Sequence, residues 1–215
     1  MNTPTTPSPL RVGGLTPMTT IDYPDQLSAV IYCQGCPLHC DYCHNPELIP
    51  SNGAPLIPWG EIVAFLDQRR GLLDAVVFSG GEPTLQSALF DAVKSVKKMG
   101  YLIGLHTAGI YPIRLAKLLP YLDWVGLDIK ALEEEYHTIT RVPSSGKSPW
   151  QSARILVSSG TPHQLRTTLH PVNSAPDKQK LLIKRLKLLG NIDHVWQTCR
   201  PNDCHTDESN FKLPH

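Results

Sequence analysis

With 215 residues, 41% of them hydrophobic and 18% charged, the chain has the composition of one generous globular domain or two small ones, not of a disordered segment. Twenty lysines and arginines against nineteen acids leave a formal charge of +1, which excludes a nucleic-acid or membrane-surface protein working through bulk positive charge. Six cysteines are the informative count, because Cys33, Cys36, Cys40 and Cys43 fall close together and only Cys199 and Cys204 lie elsewhere.

Residues 1–11 read as a disordered or extended segment, Pro/Thr/Ser-rich at its start and without the apolar core of a signal peptide. Clustered cysteines in such a chain read as a metal site in a cytoplasmic protein rather than as a disulfide framework. Residues 12–201 alternate strand-like and helix-like segments. Strands are expected at Leu27–Cys33, Leu73–Phe78, Tyr101–His106, Trp124–Ile129, Gln164–His170 and Ile192–Gln197. Between them lie helices marked by Ile62, Phe65 and Leu66, by Leu85, Leu89, Val93 and Val96, and by the runs Ile113–Leu119, Trp150–Val157 and Leu181–Leu189. The Glu133–Glu135 run is expected to be exposed at a helix start. The run Lys178, Lys180, Lys184, Arg185, Lys187 alternates with leucines and reads as a solvated helix face rather than a phosphate-binding stripe. Residues 202–215 form a polar tail.

This alternation predicts right-handed βαβ units and a parallel sheet, an α/β fold. Six strands are too few for a closed eight-stranded barrel, so a partial (βα)6 TIM-type barrel is expected, with a doubly wound sheet as the alternative. In either, ligands sit at the carboxyl ends of the strands.

Directly after the first strand comes Cys36-Pro-Leu-His-Cys40-Asp-Tyr-Cys43. Soft thiolates select zinc, copper(I) or iron–sulfur. Two CxxC pairs could hold zinc, but zinc knuckles are normally about 15–20 residues apart, and here only three residues separate them. Three thiolates on a four-iron cluster would leave one iron open to an outside ligand. Cys33 reads as the last inward residue of the strand.

The second strand leads into Gly80-Gly81-Glu82-Pro83, where two glycines allow close backbone approach and Glu82 offers a carboxylate to a cation. The fourth ends Asp128-Ile129-Lys130, with Asp and Lys on one face, either as a buried ion pair or in the barrel mouth. The fifth ends near His170, which reads equally as a surface histidine or a nucleoside contact. Cys199 and Cys204, near Asp203 and His205, form either a small metal site or, as the favoured reading, an unpaired thiol and a polar tail.

The Cys-x3-Cys-x2-Cys spacing after a strand, with Tyr42 before the last cysteine and GGEP one βα unit later, resembles the radical S-adenosylmethionine (SAM) superfamily. Further stretches resemble its anaerobic ribonucleoside-triphosphate reductase activating proteins: Gly13-Gly14-Leu15-Thr16-Pro17, Thr20-Ile21-Asp22-Tyr23-Pro24, Cys43-His44-Asn45-Pro46-Glu47-Leu48 and Phe78–Gln86. The likeness runs from about residue 12 to residue 201. The chain departs from it at Asp25, at His106 (where relatives commonly have Asp) and at Trp196–Pro201.

The resemblance implies a [4Fe–4S] cluster on Cys36, Cys40 and Cys43, with SAM contacted by Tyr42, Gly80, Gly81, Glu82, Asp128, Lys130 and His170. It implies reductive cleavage of SAM to a 5′-deoxyadenosyl radical, which then forms a glycyl radical on a partner anaerobic ribonucleotide reductase. A flavodoxin or ferredoxin would supply the electron, and no side chain acts as general acid or base. Neither nucleic acid nor a membrane is an expected partner. The alternatives are a radical enzyme acting on a small molecule, in the manner of 7-carboxy-7-deazaguanine synthase, and a non-catalytic zinc-binding module.

Overall fold

The computed structural model describes residues 9–53 and 56–198. The first eight residues, Cys199, Cys204, Asp203, His205 and the 202–215 tail lie outside the described residues.

Seven strands form one sheet: β1 Val12–Thr19, β2 Ser28–Cys33, β3 Ala75–Gly80, β4 Leu102–Thr107, β5 Trp124–Asp128, β6 His163–Thr168 and β7 His194–Gln197. Between β2 and β7 run α1 Trp59–Asp67, α2 Leu89–Lys98, α3 Pro112–Leu118, α4 Tyr136–Thr140, α5 Lys147–Ser159 and α6 Pro176–Lys187. The spatial order of the strands is their sequence order, with β2 to β7 parallel and β1 antiparallel to β2. That order has no reversal, so the doubly wound alternative, which needs a switch point, does not hold. Crossovers that are all right-handed and all in one direction place every helix on one face, as in a barrel. The architecture is α/β, a partial barrel.

Alternation within the strands divides the core in two. Ala29, Ile31, Cys33, Val76, Phe78, Ile103, Leu105, Val125, Leu127 and Leu165 are fully buried on the helix side, against Ile62, Leu66, Val93, Val96, Leu115, Leu156 and Leu186. On the other face Val30, Val77 and Trp124 form a second small cluster closed by Tyr23. Val30, Val77, Gly104 and Trp124 are cross-strand neighbours. A Cβ on Gly104 would stand 2.9 Å from the Tyr23 ring, so the glycine makes the seat for that ring. Through Tyr23 the β1–β2 connection therefore covers the inner face of the sheet near its amino-terminal end.

Three expectations need correction. β1 adds a seventh strand where only a motif-bearing approach to the first strand is expected; Gly13, Gly14 and Pro17 hide it, and it is an edge strand with two register shifts. The strand expected to reach His170 ends at Thr168, because Asn173 Oδ1 takes the His170 amide and turns the chain. Helix α2 begins at Leu89; Pro83–Leu85 form a separate single turn. The acidic run Glu133–Glu135 is a short turn leading into α4, and two of its carboxylates meet the basic run: Arg185 donates to both oxygens of Glu134 at 2.8 Å, and Lys178 pairs with Glu135. No helix among the described residues is long and apolar enough to cross a membrane.

Candidate functional site

The cysteine loop leaves β2 and is closed at its base by backbone pairing. The Gly35 amide donates to Leu48 O at 2.8 Å and the Cys36 amide to Ile49 O at 3.0 Å. Two buried glutamines brace this base. Gln34 Nε2 donates to Glu47 O (2.9 Å) and Pro50 O (2.7 Å), and Gln86 Nε2 donates to Arg11 O (2.9 Å) and Gln34 O (3.0 Å). Further round, the Cys43 amide turns back to Cys40 O at 3.1 Å, while the His39 and Asp41 amides donate to Thr140 O and Ile139 O at the end of α4.

Cys36, Cys40 and Cys43 are free thiols, each partly exposed, whereas Cys33 is fully buried on the helix side of the sheet. Burial raises the Cys33 thiol strongly, with the Glu82 charge adding to it. Burial pushes the Cys36 thiol up to about 12 and also raises Cys40, which the Lys130 ammonium pulls partly back. These thiols need a bound cation to become thiolates. Among the described residues no three His, Cys, Asp or Glu side chains gather closely enough to hold a single metal ion. One tetrahedral zinc would draw its sulfurs to within about 4 Å of one another, at Zn–S distances of ~2.3 Å. Three thiols presented by one loop match the three ligands of a [4Fe–4S] group that leaves one iron open, and a bound cation would deprotonate the raised thiols.

The glycine–glycine turn at the end of β3 abuts this loop. Gly80 has φ +109°, and a Cβ there would stand 2.4 Å from Cys33 N; one on Gly81 would stand 2.4 Å from Gly35 O. The Gly81 amide donates to Cys33 O and the Glu82 amide to Gly35 O, both at 2.9 Å. The two glycines thus allow a close approach to the cysteine-loop backbone. Glu82 is fully buried. Its Oε1 accepts from the Thr84 amide (3.0 Å), the Thr84 hydroxyl and the Thr107 hydroxyl (2.7 Å), and its Oε2 from the Ala108 amide (2.8 Å). Burial raises this carboxyl, and those donors oppose the rise. The side chain braces the ends of β3 and β4; no cation faces it among these contacts.

Asp128, at the end of β5, accepts from Arg166 Nε at 3.0 Å and lies 3.7 Å from Lys130 Nζ. The Asp128 carboxyl is held low by Arg166 and then Lys130, against the effect of burial. A Cβ on Gly126 would stand 2.8 Å from Arg166 Cζ, so the bare backbone there admits the guanidinium. Lys130 Nζ lies 5.2 Å from the centre of the Tyr42 ring, a cation–π contact that joins this strand end to the cysteine loop. Tyr42 is 5% exposed; burial raises its phenol, and the Lys130 ammonium beside it opposes the rise. His170 packs against Tyr42 with ring centres 5.9 Å apart, and its Nε2 lies 3.5 Å from Asp41 Oδ2. His106 projects from β4 on the Trp124 side, its Nε2 2.9 Å from Asp22 O. Burial and the Arg166 charge push its pKa down to about 3.

The structure therefore brings Cys36, Cys40, Cys43, Tyr42, Lys130, Asp128 and His170 into one connected neighbourhood at the carboxyl end of the sheet. Gly80, Gly81 and Glu82 adjoin it from beneath the loop. Sequence reasoning passed over Gln34, Thr107, Arg166 and the Asp41–Arg141 pair; the last joins positions 100 residues apart, which no local pattern could reveal.

Residues 30–198 match the model of the Radical SAM superfamily, and the chain belongs to that superfamily. It is 32% identical over 141 residues to a Methanocaldococcus jannaschii protein named as a glycyl-radical enzyme activating enzyme, covering 63% of this chain. The chain spans 57% of the length of that relative. It is 29% identical over 191 residues to the pyruvate formate-lyase-activating enzyme of Clostridium pasteurianum, covering 86% of this chain and 78% of the relative. The solved structure of Streptococcus suis SuiB bound to S-adenosylmethionine superposes with a TM-score of 0.64 at 16% identity, over 86% of this chain and 43% of that one. The superfamily uses a [4Fe–4S] cluster and SAM.

Proposed function

We propose that this chain is a radical SAM activase that forms a glycyl radical on a partner enzyme, an anaerobic ribonucleoside-triphosphate reductase. The observation that carries the reading is the three-thiol loop at the carboxyl end of the sheet, in a chain similar to glycyl-radical activating enzymes. Cys36, Cys40 and Cys43 would hold the cluster. Bound there, the cluster and SAM would supply the radical chemistry that removes a Cα hydrogen. A flavodoxin or ferredoxin is the electron donor in this reading.

The chain's own residues bind and orient. The Lys130 ammonium and the Arg166 guanidinium face Asp128 and give the mouth an excess of one positive charge, suited to a carboxylate. Tyr42, its ring against the Lys130 ammonium, offers a buried hydroxyl beside them. Gly80 and Gly81 set the height of the loop over β3. Tyr23 and Trp124 exclude water from the inner face of the sheet near its amino-terminal end. The open side of the barrel leaves room for a loop of a large partner.

The test is anaerobic co-incubation of the iron-loaded chain with SAM, a reductant and a class III reductase. Growth of a glycyl doublet in the electron paramagnetic resonance spectrum of the reductase is expected. SAM cleavage without that doublet, and with turnover of a small molecule instead, would contradict the partner assignment. A colourless protein that loads only zinc would contradict the chemistry.

A further inference from the structure

The segment between Cys36 and Leu48 carries Cys40 and Cys43; Gln34 holds its far end at Glu47 O, and two backbone hydrogen bonds tie its middle to the end of α4. These are His39 N to Thr140 O at 3.0 Å and Asp41 N to Ile139 O at 3.1 Å. The next residue of the anchoring element is Arg141, which caps α4 in the left-handed region (φ +58°, ψ +16°). A side chain other than glycine is strained there. That conformation turns the guanidinium back over the loop, where Nε meets Asp41 Oδ1 at 2.7 Å and Nη2 meets Oδ2 at 2.9 Å, a two-pronged pair. His170 Nε2 approaches the same carboxylate from the β6 side at 3.5 Å.

The arginine side chain is well exposed, and an ion pair of that kind adds no more to global stability than the left-handed backbone costs. Its effect is local, because Asp41 sits between Cys40 and Tyr42 and cannot shift without moving both. We propose that Arg141 is a positioning residue: through Asp41 it latches the Cys40–Cys43 segment onto the end of α4 and holds those thiols in place before any metal arrives. The role in iron loading rests on the proposed function above; the latch itself is a property of the metal-free chain.

The experiment uses the full-length metal-free protein, unchanged and with Arg141→Gly, Arg141→Lys, Asp41→Asn and the Arg141→Gly/Asp41→Asn pair. Alkylation rates of individual cysteines are read by mass spectrometry, beside hydrogen exchange at the His39 and Asp41 amides and the thermal midpoint. Glycine adopts the left-handed conformation without strain, so Arg141→Gly is expected to keep or raise the midpoint. It should nevertheless speed alkylation of Cys40 and Cys43 by about three- to fivefold and leave buried Cys33 as slow as before. Arg141→Lys should fall between, and the double variant should add nothing to the singles, since both remove one interaction. Unchanged rates at Cys40 and Cys43, or acceleration that includes Cys33 and follows a drop in the midpoint, would overturn the latch. A loop that loosens as expected in a protein that never takes up iron would leave the latch standing and overturn the proposed function instead.

Discussion

Thr107 at the end of β4 donates its hydroxyl to Glu82 Oε1 at 2.7 Å, and the carboxylate it reaches lies just beyond the end of β3. With the Ala108 amide on Oε2, the pair fixes the spacing of two strand ends beneath the cysteine loop. Replacing Thr107 with valine keeps the shape but removes the donor to Glu82 and the acceptor of the Gly109 amide, and leaves both short of a partner. A loss of about 1–3 kcal/mol is expected, measured by urea unfolding of Thr107→Val against the unchanged protein. Equal unfolding midpoints and slopes would show that the contact contributes nothing.

Gly80 admits no side chain. Its φ is +109° and a Cβ would press on the Cys33 backbone, which belongs to a central strand and cannot yield. Gly80→Ala should cost more than about 2 kcal/mol and separate β3 from the entrance of the cysteine loop. Gly60, with open space where its Cβ would stand, is the control: Gly60→Ala, inside α1, should gain up to about 1 kcal/mol. Calorimetry of the two variants checks both signs.

His106 sets a pH dependence. Its folded pKa is pushed down to about 3 by burial and by Arg166, below the ordinary value of 6.5. Between those limits the unfolded chain binds a proton that the folded chain refuses, so stability rises with pH across that window. The contribution is fully present above 6.5 and is lost progressively as pH falls toward 3, at up to about 1.4 kcal/mol per pH unit. His106→Gln keeps a donor for Asp22 O and removes the titration. Its unfolding free energy should fall less steeply than that of the unchanged protein from pH 6.5 downward; parallel curves would exclude His106 as the source.

Local chemistry was readable in the chain and long-range chemistry was not. The three cysteines announce themselves because one loop carries all of them, and the alternation of β2 to β7 with helices is strong enough to predict the parallel sheet. β1 escaped because Gly13, Gly14 and Pro17 interrupt its few β-formers, Val12, Thr16 and Thr19, and leave no clean alternation. α4, at five residues, is shorter than any periodicity can register. Glu82 reads from the sequence as a carboxylate for a cation, and only the fold adds that Thr84, Thr107 and Ala108 donate to it. Arg166 stands in a strand of mixed polarity, and its meaning comes from the Asp128 carboxylate one strand away.

The excess positive charge at the mouth predicts a binding phenotype. Lys130→Met should leave iron loading intact and weaken SAM binding at least about tenfold, on the scale of one charge-assisted contact. Equilibrium dialysis with the iron-loaded protein reads this directly, and unchanged affinity would remove Lys130 from the binding surface.

The central claim is that Cys36, Cys40 and Cys43 together hold the group that cleaves SAM. Its most direct test is iron and sulfide content, with 5′-deoxyadenosine formation, in the anaerobically reconstituted protein and in Cys36→Ala. The account predicts a [4Fe–4S] complement and 5′-deoxyadenosine from the unchanged chain, and neither from Cys36→Ala. A Cys36→Ala protein that retains the full cluster and still forms 5′-deoxyadenosine would contradict it.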